Sequence, residues 1–276
     1  MASDSPVPRR MLAVPPRSVD VPDRPMVSMV VPTYNERERL DHFVRTLARV
    51  LKDARIDAEI IIVDDNSPDG TGGLADQLAR ELPVRVVHRS GKLGLGSAVM
   101  AGFAVAGGDV LGVMDADVSH PPERVPALIA ALRETGADVV IGSRYIPGGG
   151  TKNWPLSRAL MSRAACLVAR IVTPVHDAAS GFFVLRRPVI EGVQIKAAGF
   201  KICLELLVRG AVASVVEVPY VFSDRAAGQS KMNHREALGF LVQIWQLFLW
   251  ERRARKPRPA RSRISPEQAD RFAARA

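Results

Sequence analysis

The feature that most constrains the fold of this chain is an alternation of short apolar runs with amphipathic segments, repeated five times before about residue 141. The apolar runs, such as Ile60-Ile61-Ile62-Val63, are short and rich in Val and Ile, which is typical of strands buried on both faces. The segments between them carry apolar residues at helical spacing. Because strand and helix alternate with short connections, the sequence predicts an α/β fold with a mostly parallel sheet and helices on both faces.

Polar residues cluster where the predicted strands end. In chain order they are Tyr34 and Glu36, Asp64 and Asp65, Asp115 and Asp117, and Arg144. The carboxyl ends of parallel strands lie at one edge of the sheet, and ligands of such sheets bind there. One cluster alone is as consistent with a solvated loop, but four at one edge predict a binding site.

Asp115 and Asp117 directly follow the fourth apolar run. In extended backbone, residues two apart project to the same side, so we expect the two carboxylates to converge. Like charges this close repel unless a proton or a cation lies between them, and Mg²⁺ is typically bound by one or two carboxylates plus phosphate oxygens. The alternative is an acidic turn left in water. Pro121 and Pro122 then predict a helix start, with His120 or the serine before it near the cap.

The glycines between residues 91 and 96 match no common nucleotide-binding motif. Gly94-x-Gly96 lacks a third glycine and follows the third strand instead of the first, and Gly91-Lys92 is followed by Leu93 where a P-loop has Ser or Thr. We interpret the segment as a tight turn near the site. Lys92 is then either a neighbour of a bound phosphate or a solvated lysine.

The net charge of +9 lies mainly in one segment. Residues 252–276 contain nine Lys or Arg and two Asp or Glu, and we expect them to form a basic disordered tail. Residues 1–25, rich in Pro and Arg and without periodicity, predict a disordered arm. Because the basic excess is confined to the tail, we do not expect nucleic acid as a partner.

Cys166 and Cys203, in no metal-binding spacing, are expected to be reduced thiols.

Residues 236–251 predict an amphipathic helix with a wide apolar face that includes Trp245. This helix is shorter than the roughly 20 apolar residues that cross a bilayer. With basic residues immediately after it, the pattern predicts a helix in the membrane interface that touches anionic lipid. The alternative is a helix packed against the sheet. A second helix, predicted over residues 155–171, carries three arginines among apolar residues.

Five motifs occur in the order typical of one enzyme family. They are Val31-Pro32-Thr33-Tyr34-Asn35-Glu36, Val63-Asp64-Asp65-Asn66-Ser67-Pro68-Asp69-Gly70-Thr71, Met114-Asp115-Ala116-Asp117-Val118-Ser119-His120-Pro121-Pro122, Ser143-Arg144-Tyr145 and Arg225-x-x-Gly228-x-Ser230-Lys231. Together, across residues 26–235, the motifs resemble those of the dolichol- or polyprenol-phosphate mannosyltransferases, inverting family 2 glycosyltransferases. The resemblance implies the GT-A fold, a Rossmann-like arrangement of the sheet and helices described above.

The resemblance also implies GDP-mannose as donor, a polyprenyl or dolichyl monophosphate as acceptor, and Mg²⁺ or Mn²⁺ as cofactor. By motif position, the nucleotide sugar is bound by Pro32, Tyr34, Glu36, Val63, Asp65, Asp115, Ala116, Asp117, Arg144, Arg225 and Lys231. The implied metal ligands are Asp115, Asp117 and Ser119, and the implied catalytic residues are Asp117, Arg144 and Arg225.

A phosphate monoester, with a second pKa of about 6, is already anionic at neutral pH. Direct displacement by the acceptor phosphate therefore needs no side-chain base. A lipid acceptor implies a peripheral protein at the cytoplasmic face of the membrane. It would reach the lipid through residues 236–251, residues 155–171 or a partner membrane subunit.

Two alternatives remain at this stage. The first is a polyprenyl-phosphate glucosyltransferase that uses UDP-glucose; the chain has Ser119-His120 where glucose-transferring relatives tend to have Gln-Asp, which favours mannose. The second is a non-catalytic nucleotide-binding protein docked on membranes. The presence of both aspartates and of Arg225 and Lys231 argues against it.

Overall fold

A computed structural model describes residues 26–192, 201–223, 234–254 and 256–275. The predicted arm, residues 1–25, lies outside these ranges, as do the candidate residues Arg225 and Lys231. The predictions for these parts of the chain stay predictions.

Strands and helices alternate through the described residues. They are β1 (Val27–Thr33), α1 (Arg37–Asp53), β2 (Ala58–Asp64), α2 (Thr71–Leu78), β3 (Val84–His88), α3 (Leu95–Val105), β4 (Val110–Val113), α4 (Val125–Thr135), β5 (Val139–Ser143), β6 (Gly150–Lys152), α5 (Leu156–Ala169), β7 (Phe183–Arg186), α6 (Ile202–Arg209), β8 (Ser214–Pro219), β9 (Val221–Ser223), α7 (His234–Ala254), β10 (Ala260–Arg263) and α8 (Pro266–Arg275). The predicted helix at Pro122 begins as a short 3₁₀ turn, Pro122–Arg124, before α4.

Within the described residues, the main sheet has eight strands in the order β10-β8-β5-β7-β4-β1-β2-β3. Only β7 runs antiparallel to its neighbours, β4 and β5. The predicted α/β fold with a mostly parallel sheet is therefore confirmed. Because β7 is reversed, its first residue, Phe183, lies at the carboxyl ends of β4 and β5, opposite Val113 and Ile141. The loop before β7 thus joins the edge where the site was predicted.

Helices cover both faces of the sheet, as the double-sided apolar pattern of the strands requires. Along β1, Val30 packs into the core cluster under α3 and α6, whereas Met29 and Val31 pack into the cluster under α1 and α4. The apolar run over residues 212–222 is divided between two sheets: β8 belongs to the main sheet, and β9 pairs with β6.

The C-terminal segment is ordered, so the prediction of a disordered tail is wrong for residues 256–275. Strand β10 pairs in parallel with β8, and α8 packs against α4. Two apolar residues, Ile264 and Ala269, anchor this segment in the core. Basic residues contribute through hydrogen bonds: Lys256 donates to the Val208 carbonyl (3.1 Å), and Arg258 pairs with Glu251 (2.7 Å). The net charge of the segment does not indicate that Lys256 and Arg258 have hydrogen-bond partners elsewhere in the fold.

Helix α7 is partly packed and partly open. Phe240, Ile244 and Leu247 are buried in the core on one side, as the packed-helix alternative expected. On the other side Leu241 and Trp245 are exposed, and Trp245 retains 60% of its accessible surface. No helix within the described ranges is both long and apolar enough to cross a bilayer. Contact of α7 with a membrane surface stays a prediction.

Candidate active site

The predicted site residues that fall within the described ranges lie along one edge of the main sheet. Strands β1, β2, β4 and β5 all end there, since these strands point the same way. Side chains link neighbouring ends directly: Thr33 Oγ1 donates to Asp64 Oδ1 (3.2 Å), and Ser67 Oγ donates to the same oxygen (2.5 Å). The ends of these strands therefore lie together, as the sequence predicted, and binding of a ligand at this edge stays a prediction.

The loop after β4 holds Asp117 in a tight turn. The strand ends at Val113, so Asp117 is not in the extended backbone that the sequence predicted. Its Oδ1 accepts hydrogen bonds from the backbone N–H (3.0 Å) and the hydroxyl of Ser119. Val118 between them has a φ of +63°, a conformation rare for a β-branched residue. Ser119 thus orients the Asp117 carboxylate.

His120 positions Asp115 and does not cap the following helix. Its imidazole is buried and stacks on Phe182, with ring centroids 5.4 Å apart; Tyr220 and Phe222 contact it edge-on. The Asp115 backbone N–H donates to His120 Nδ1 (3.2 Å), so Nδ1 carries no proton. Burial lowers the pKa of His120 to about 4, which keeps the ring neutral at pH 7.

The Asp115 side chain is partly exposed, with 35% of its surface accessible. Gly181, in the loop before β7, approaches it closely: a Cβ there would lie 3.1 Å from Asp115 Oδ2. Within the described residues, no three His, Cys, Asp or Glu side chains surround a common point. The oxygen donors of Asp115, Asp117 and Ser119 fit Mg²⁺ or Mn²⁺, which commonly share their coordination with phosphate oxygens.

Arg144 is held beside this loop by Asp177. Its Nε and Nη2 donate to the two carboxylate oxygens (2.7 Å each), and its backbone N–H donates as well (2.9 Å). Burial opposes the positive charge, but Asp177 more than offsets it, and the pKa of Arg144 is raised. The guanidinium lies 5.5 Å from the Trp154 ring and 5.7 Å from the Phe222 ring, distances at which cation–π attraction adds support.

Glu217, on β8, supports the Arg144–Asp177 pair from behind. It is fully buried, and its Oε1 accepts hydrogen bonds from Ser143 Oγ (2.8 Å) and from the backbone N–H of Asp177 (3.2 Å). One carboxylate therefore holds the residue before Arg144 and the residue that pairs with Arg144.

The candidate nucleotide-binding residues lie at the other end of this edge. Asp65 is buried and accepts hydrogen bonds from Arg89 Nη1 (2.6 Å) and the Leu93 backbone N–H (3.1 Å). Tyr34 is partly exposed, and the Lys92 ammonium lies 4.2 Å from the centre of its ring. Lys92 is exposed and in contact with a candidate site residue, and its contact with a bound phosphate stays a prediction.

The remaining candidates differ in what they can offer a ligand. The Val63 and Ala116 side chains are buried in the core, so any ligand contact of theirs would be through the backbone. Pro32, in β1, is only partly buried. The Glu36 backbone N–H donates to Thr71 Oγ1 (3.0 Å), and its carboxylate lies 3.6 Å from Arg39.

Two basic residues of this region were missed in the sequence. Lys201 precedes α6, and its charge interacts with those of Arg144 and Asp115. The pKa of Lys201 is lowered, mainly by burial and next by the positive charge of Arg144. It lies within an apolar run that gave no signal. Arg89, which pairs with Asp65, directly follows β3. The position of Arg89 at the end of the third strand is a sequence signal that identifies it.

Comparison with known proteins gives a family match and relatives that align with most of this chain. The sequence pattern of glycosyl transferase family 2 matches residues 28–193. A dolichol-phosphate mannosyltransferase of Pyrococcus furiosus is 45% identical over 229 residues, which is 82% of this chain but only 64% of that protein. A polyprenol monophosphomannose synthase of Mycolicibacterium smegmatis is 43% identical over 232 residues, 79% of this chain and 85% of that one.

Solved structures with the same fold are more distant in sequence. A mannosyl-3-phosphoglycerate synthase from Rubrobacter xylanophilus superimposes with a TM-score of 0.61 at 19% identity, over 85% of this chain and 77% of that one. A mannosyltransferase from Pyrobaculum calidifontis, in complex with GDP-Man and Mn²⁺, gives a TM-score of 0.60 at 17% identity, over 97% and 72% of the two chains.

Proposed function

Because the chain belongs to glycosyl transferase family 2 and is a glycosyltransferase, we propose that it transfers mannose from GDP-mannose to a polyprenyl monophosphate, with inversion. The observation that carries the proposal is the placement of Asp115, Asp117 and Arg144 at one edge of the sheet. Two carboxylates and a guanidinium together can bind a cation and the diphosphate that leaves with the nucleotide. The names of the relatives, which act on dolichol or polyprenol phosphates, support the acceptor.

The metal would be held by Asp115 and Asp117, with Ser119 either as a further ligand or as the group that orients Asp117. When bound, Mg²⁺ or Mn²⁺ neutralises charge that develops on the diphosphate. The fit rests on the oxygen donors present and on the close approach of Gly181, which leaves room beside the Asp115 carboxylate. The Pyrobaculum mannosyltransferase, in complex with GDP-Man and Mn²⁺, supports the same choice of donor and cofactor.

Arg144 supplies positive charge to the phosphates. Asp177 engages its Nε and Nη2, so the guanidinium is fixed before a substrate arrives. A preorganised cation stabilises developing charge without reorganising during the reaction. Arg225 and Lys231 are proposed to assist Arg144, and Pro32, Tyr34, Glu36, Val63, Asp65 and Ala116 to bind the nucleoside.

The acceptor phosphate is proposed to attack the anomeric carbon without a protein base. The described carboxylates behind the site are engaged: Asp177 by Arg144, Glu217 by Ser143, and Glu205 by Arg209 at 3.1 Å. None of these three is suited to accept a proton from a substrate. A single displacement by the acceptor gives inversion at the anomeric carbon.

The lipid chain of the acceptor is proposed to arrive along α5 and α7, with the protein peripheral at the cytoplasmic face of a membrane. Helix α5 exposes Leu156, Leu160 and Leu167 and also carries arginines, and α7 exposes Leu241 and Trp245. Exposed apolar side chains flanked by basic ones favour an anionic membrane surface over bulk water. A membrane subunit that covers the same side chains is the other proposed route.

A transfer assay tests the function. The protein is incubated with radiolabelled GDP-mannose or UDP-glucose, undecaprenyl phosphate in detergent and MnCl₂, with or without EDTA. We expect label in the lipid phase from GDP-mannose only, and loss of transfer with EDTA. Transfer from UDP-glucose would favour the glucosyltransferase alternative, and binding of GDP without transfer from either donor would favour a non-catalytic protein.

A further inference from the structure

Two fully buried carboxylates, Asp177 and Glu217, lie next to each other behind the site, since the Asp177 backbone N–H donates to Glu217 Oε1 (3.2 Å). Ionised groups in a protein interior require compensating charge. Arg144 compensates Asp177 directly. The guanidinium that faces Glu217 is that of Arg261, whose Nη1 lies 3.9 Å from Glu217 Oε2.

Arg261 belongs to β10, the C-terminal strand that pairs with β8. Its Nη1 donates to the Pro174 carbonyl (3.0 Å) and lies 2.7 Å from His176 Nδ1. His176 Nδ1 lies in turn 3.0 Å from Glu217 Oε2. Arg261 therefore fastens β10 to residues 174–177, the segment that carries Asp177, and lies outside residues 28–193 that match the family pattern.

Glu217 contacts both the residue that precedes Arg144 and the segment that carries Asp177, the ion-pair partner of Arg144. It binds Ser143 Oγ, on the residue before Arg144, and the backbone N–H groups of His176 and Asp177 (3.2 Å each). Without the Arg261 charge, the Glu217 carboxylate would depend on its contacts with Ser143, His176 and Asp177 alone. Water entry would then compete for these hydrogen bonds, and the Arg144–Asp177 pair would lose its fixed position.

We propose that Arg261 is a positioning residue for Arg144, acting through Glu217. It touches no substrate; it keeps the carboxylate behind Arg144 dry and ordered, so that the guanidinium stays aimed at the edge of the sheet. The kinetic part of this inference rests on the proposed function, in which Arg144 meets the phosphates. The structural part, a fixed Arg144, does not.

The first experiment compares Arg261→Gln with Arg263→Gln in the transfer assay. Arg263 lies two residues along the same strand, carries the same charge and is exposed, and the described residues offer it no ion pair. We expect Arg261→Gln to lower kcat about tenfold, with a smaller change in KM for the donor, because a small misplacement of Arg144 weakens transition-state contacts. Arg261→Lys should restore much of the rate. Equal rates for Arg261→Gln and Arg263→Gln would overturn the proposal.

The second experiment tests coupling to Arg144. In an Arg144→Lys background the guanidinium to be positioned is gone, so Arg261→Gln should lower kcat by less than about twofold. The same tenfold loss in both backgrounds would mean that Arg261 acts elsewhere, and the proposal would be wrong.

The third experiment does not depend on transfer. The Nε–H of Arg144 is observed by ¹⁵N NMR and identified by its absence in Arg144→Lys. We expect its hydrogen exchange to be about tenfold faster or more in Arg261→Gln and unchanged in Arg263→Gln. If Arg261→Gln does not fold, Arg261→Lys is measured instead, with a smaller acceleration expected. Unchanged exchange in an active enzyme refutes the positioning role, whereas faster exchange in a protein that transfers no mannose refutes only the proposed function.

Discussion

The two carboxylate oxygens of Asp177 are both bound by the guanidinium of Arg144, at 2.7 Å each, and Asp177 has no accessible surface. A carboxylate so engaged fixes a cation and is poorly placed to take a proton from a substrate. The pair therefore accounts for a site that orients positive charge without supplying a base. The buried position also makes each partner depend on the other, and this dependence can be measured.

Asp177→Asn is expected to lower the free energy of unfolding by about 3–5 kcal/mol, because Arg144 would keep a buried charge without its counter-ion. The control is Asp41→Asn, which removes one partner of the exposed ion pair with Arg45 and should leave stability nearly unchanged. Urea unfolding followed by circular dichroism measures both variants. Similar small losses for the two would show that Arg144 does not need Asp177.

Asp115→Asn and Asp117→Asn are expected to abolish stabilisation by MnCl₂ plus GDP. The wild-type protein should gain about 2.7 kcal/mol at a ligand concentration 100 times Kd, which thermal unfolding detects as a raised Tm. Asp109→Asn is a matched control, since Asp109 lies just before the opposite end of β4. An unchanged response in both site variants would place the metal elsewhere.

Gly181→Ala tests the same site without changing its charge. The added methyl group would lie 3.1 Å from Asp115 Oδ2, so the carboxylate must shift. We expect Mn²⁺ affinity, measured by calorimetry in the presence of GDP, to fall by about tenfold or more. Gly150→Ala, where an added methyl group meets no atom within 4 Å, should bind Mn²⁺ normally. Normal affinity in both variants would mean that the Asp115 carboxylate can move without affecting the metal.

The sequence predicted the sheet and the grouping of polar residues at one of its edges, because both depend on local patterns. The apolar runs defined the strands, and parallel strands place Asp65, Asp115 and Arg144 at one edge whatever the details of packing. The role of His120 could not be predicted in this way. Its three aromatic neighbours come from β9 and from the residues just before β7 and β9, which are distant in the chain.

The C-terminal segment shows a second limit of sequence reasoning. A high density of Arg and Pro predicts disorder when cations have no partners, yet Arg261 finds the Pro174 carbonyl, and Arg258 finds Glu251. These contacts join residues far apart in sequence or on different elements. Composition alone cannot indicate them.

The two cysteines are expected to be unreactive in the folded protein. Burial raises the pKa of Cys166 to about 12 and that of Cys203 well above its ordinary value. At pH 8 a thiol reagent such as DTNB should therefore titrate no cysteine quickly in the native state and both in denaturant. Rapid reaction of either thiol in the native protein would contradict the burial of Cys166 and Cys203.

Because the pKa values of the two thiols are raised in the folded protein, the free energy of unfolding falls at alkaline pH. Above about pH 8.5 the unfolded chain releases thiol protons that the folded chain keeps, so stability is full below that pH and declines as pH rises toward 12. By about pH 10.5 Cys166 accounts for at most about 3 kcal/mol of the decline. In urea unfolding, Cys166→Ala should therefore lose less stability than the wild-type protein between pH 8 and 10. Parallel curves for the two proteins would refute the linkage.

The exposed apolar side chains of α5 and α7 give the last prediction. Leu160 retains 57% of its accessible surface and Trp245 retains 60%, although neither lies in the edge that holds Asp115. Burial of such a side chain in a lipid interface contributes about 1.5–3 kcal/mol, so Leu160→Ser and Trp245→Ser should each weaken binding to phosphatidylglycerol vesicles about tenfold. Val105→Ser, an exposed site at the end of α3, is the control. Co-sedimentation measures binding, and light scattering shows whether either variant instead changes the oligomeric state. Vesicle binding that is equal in all three variants would assign these faces to a protein partner and not to lipid.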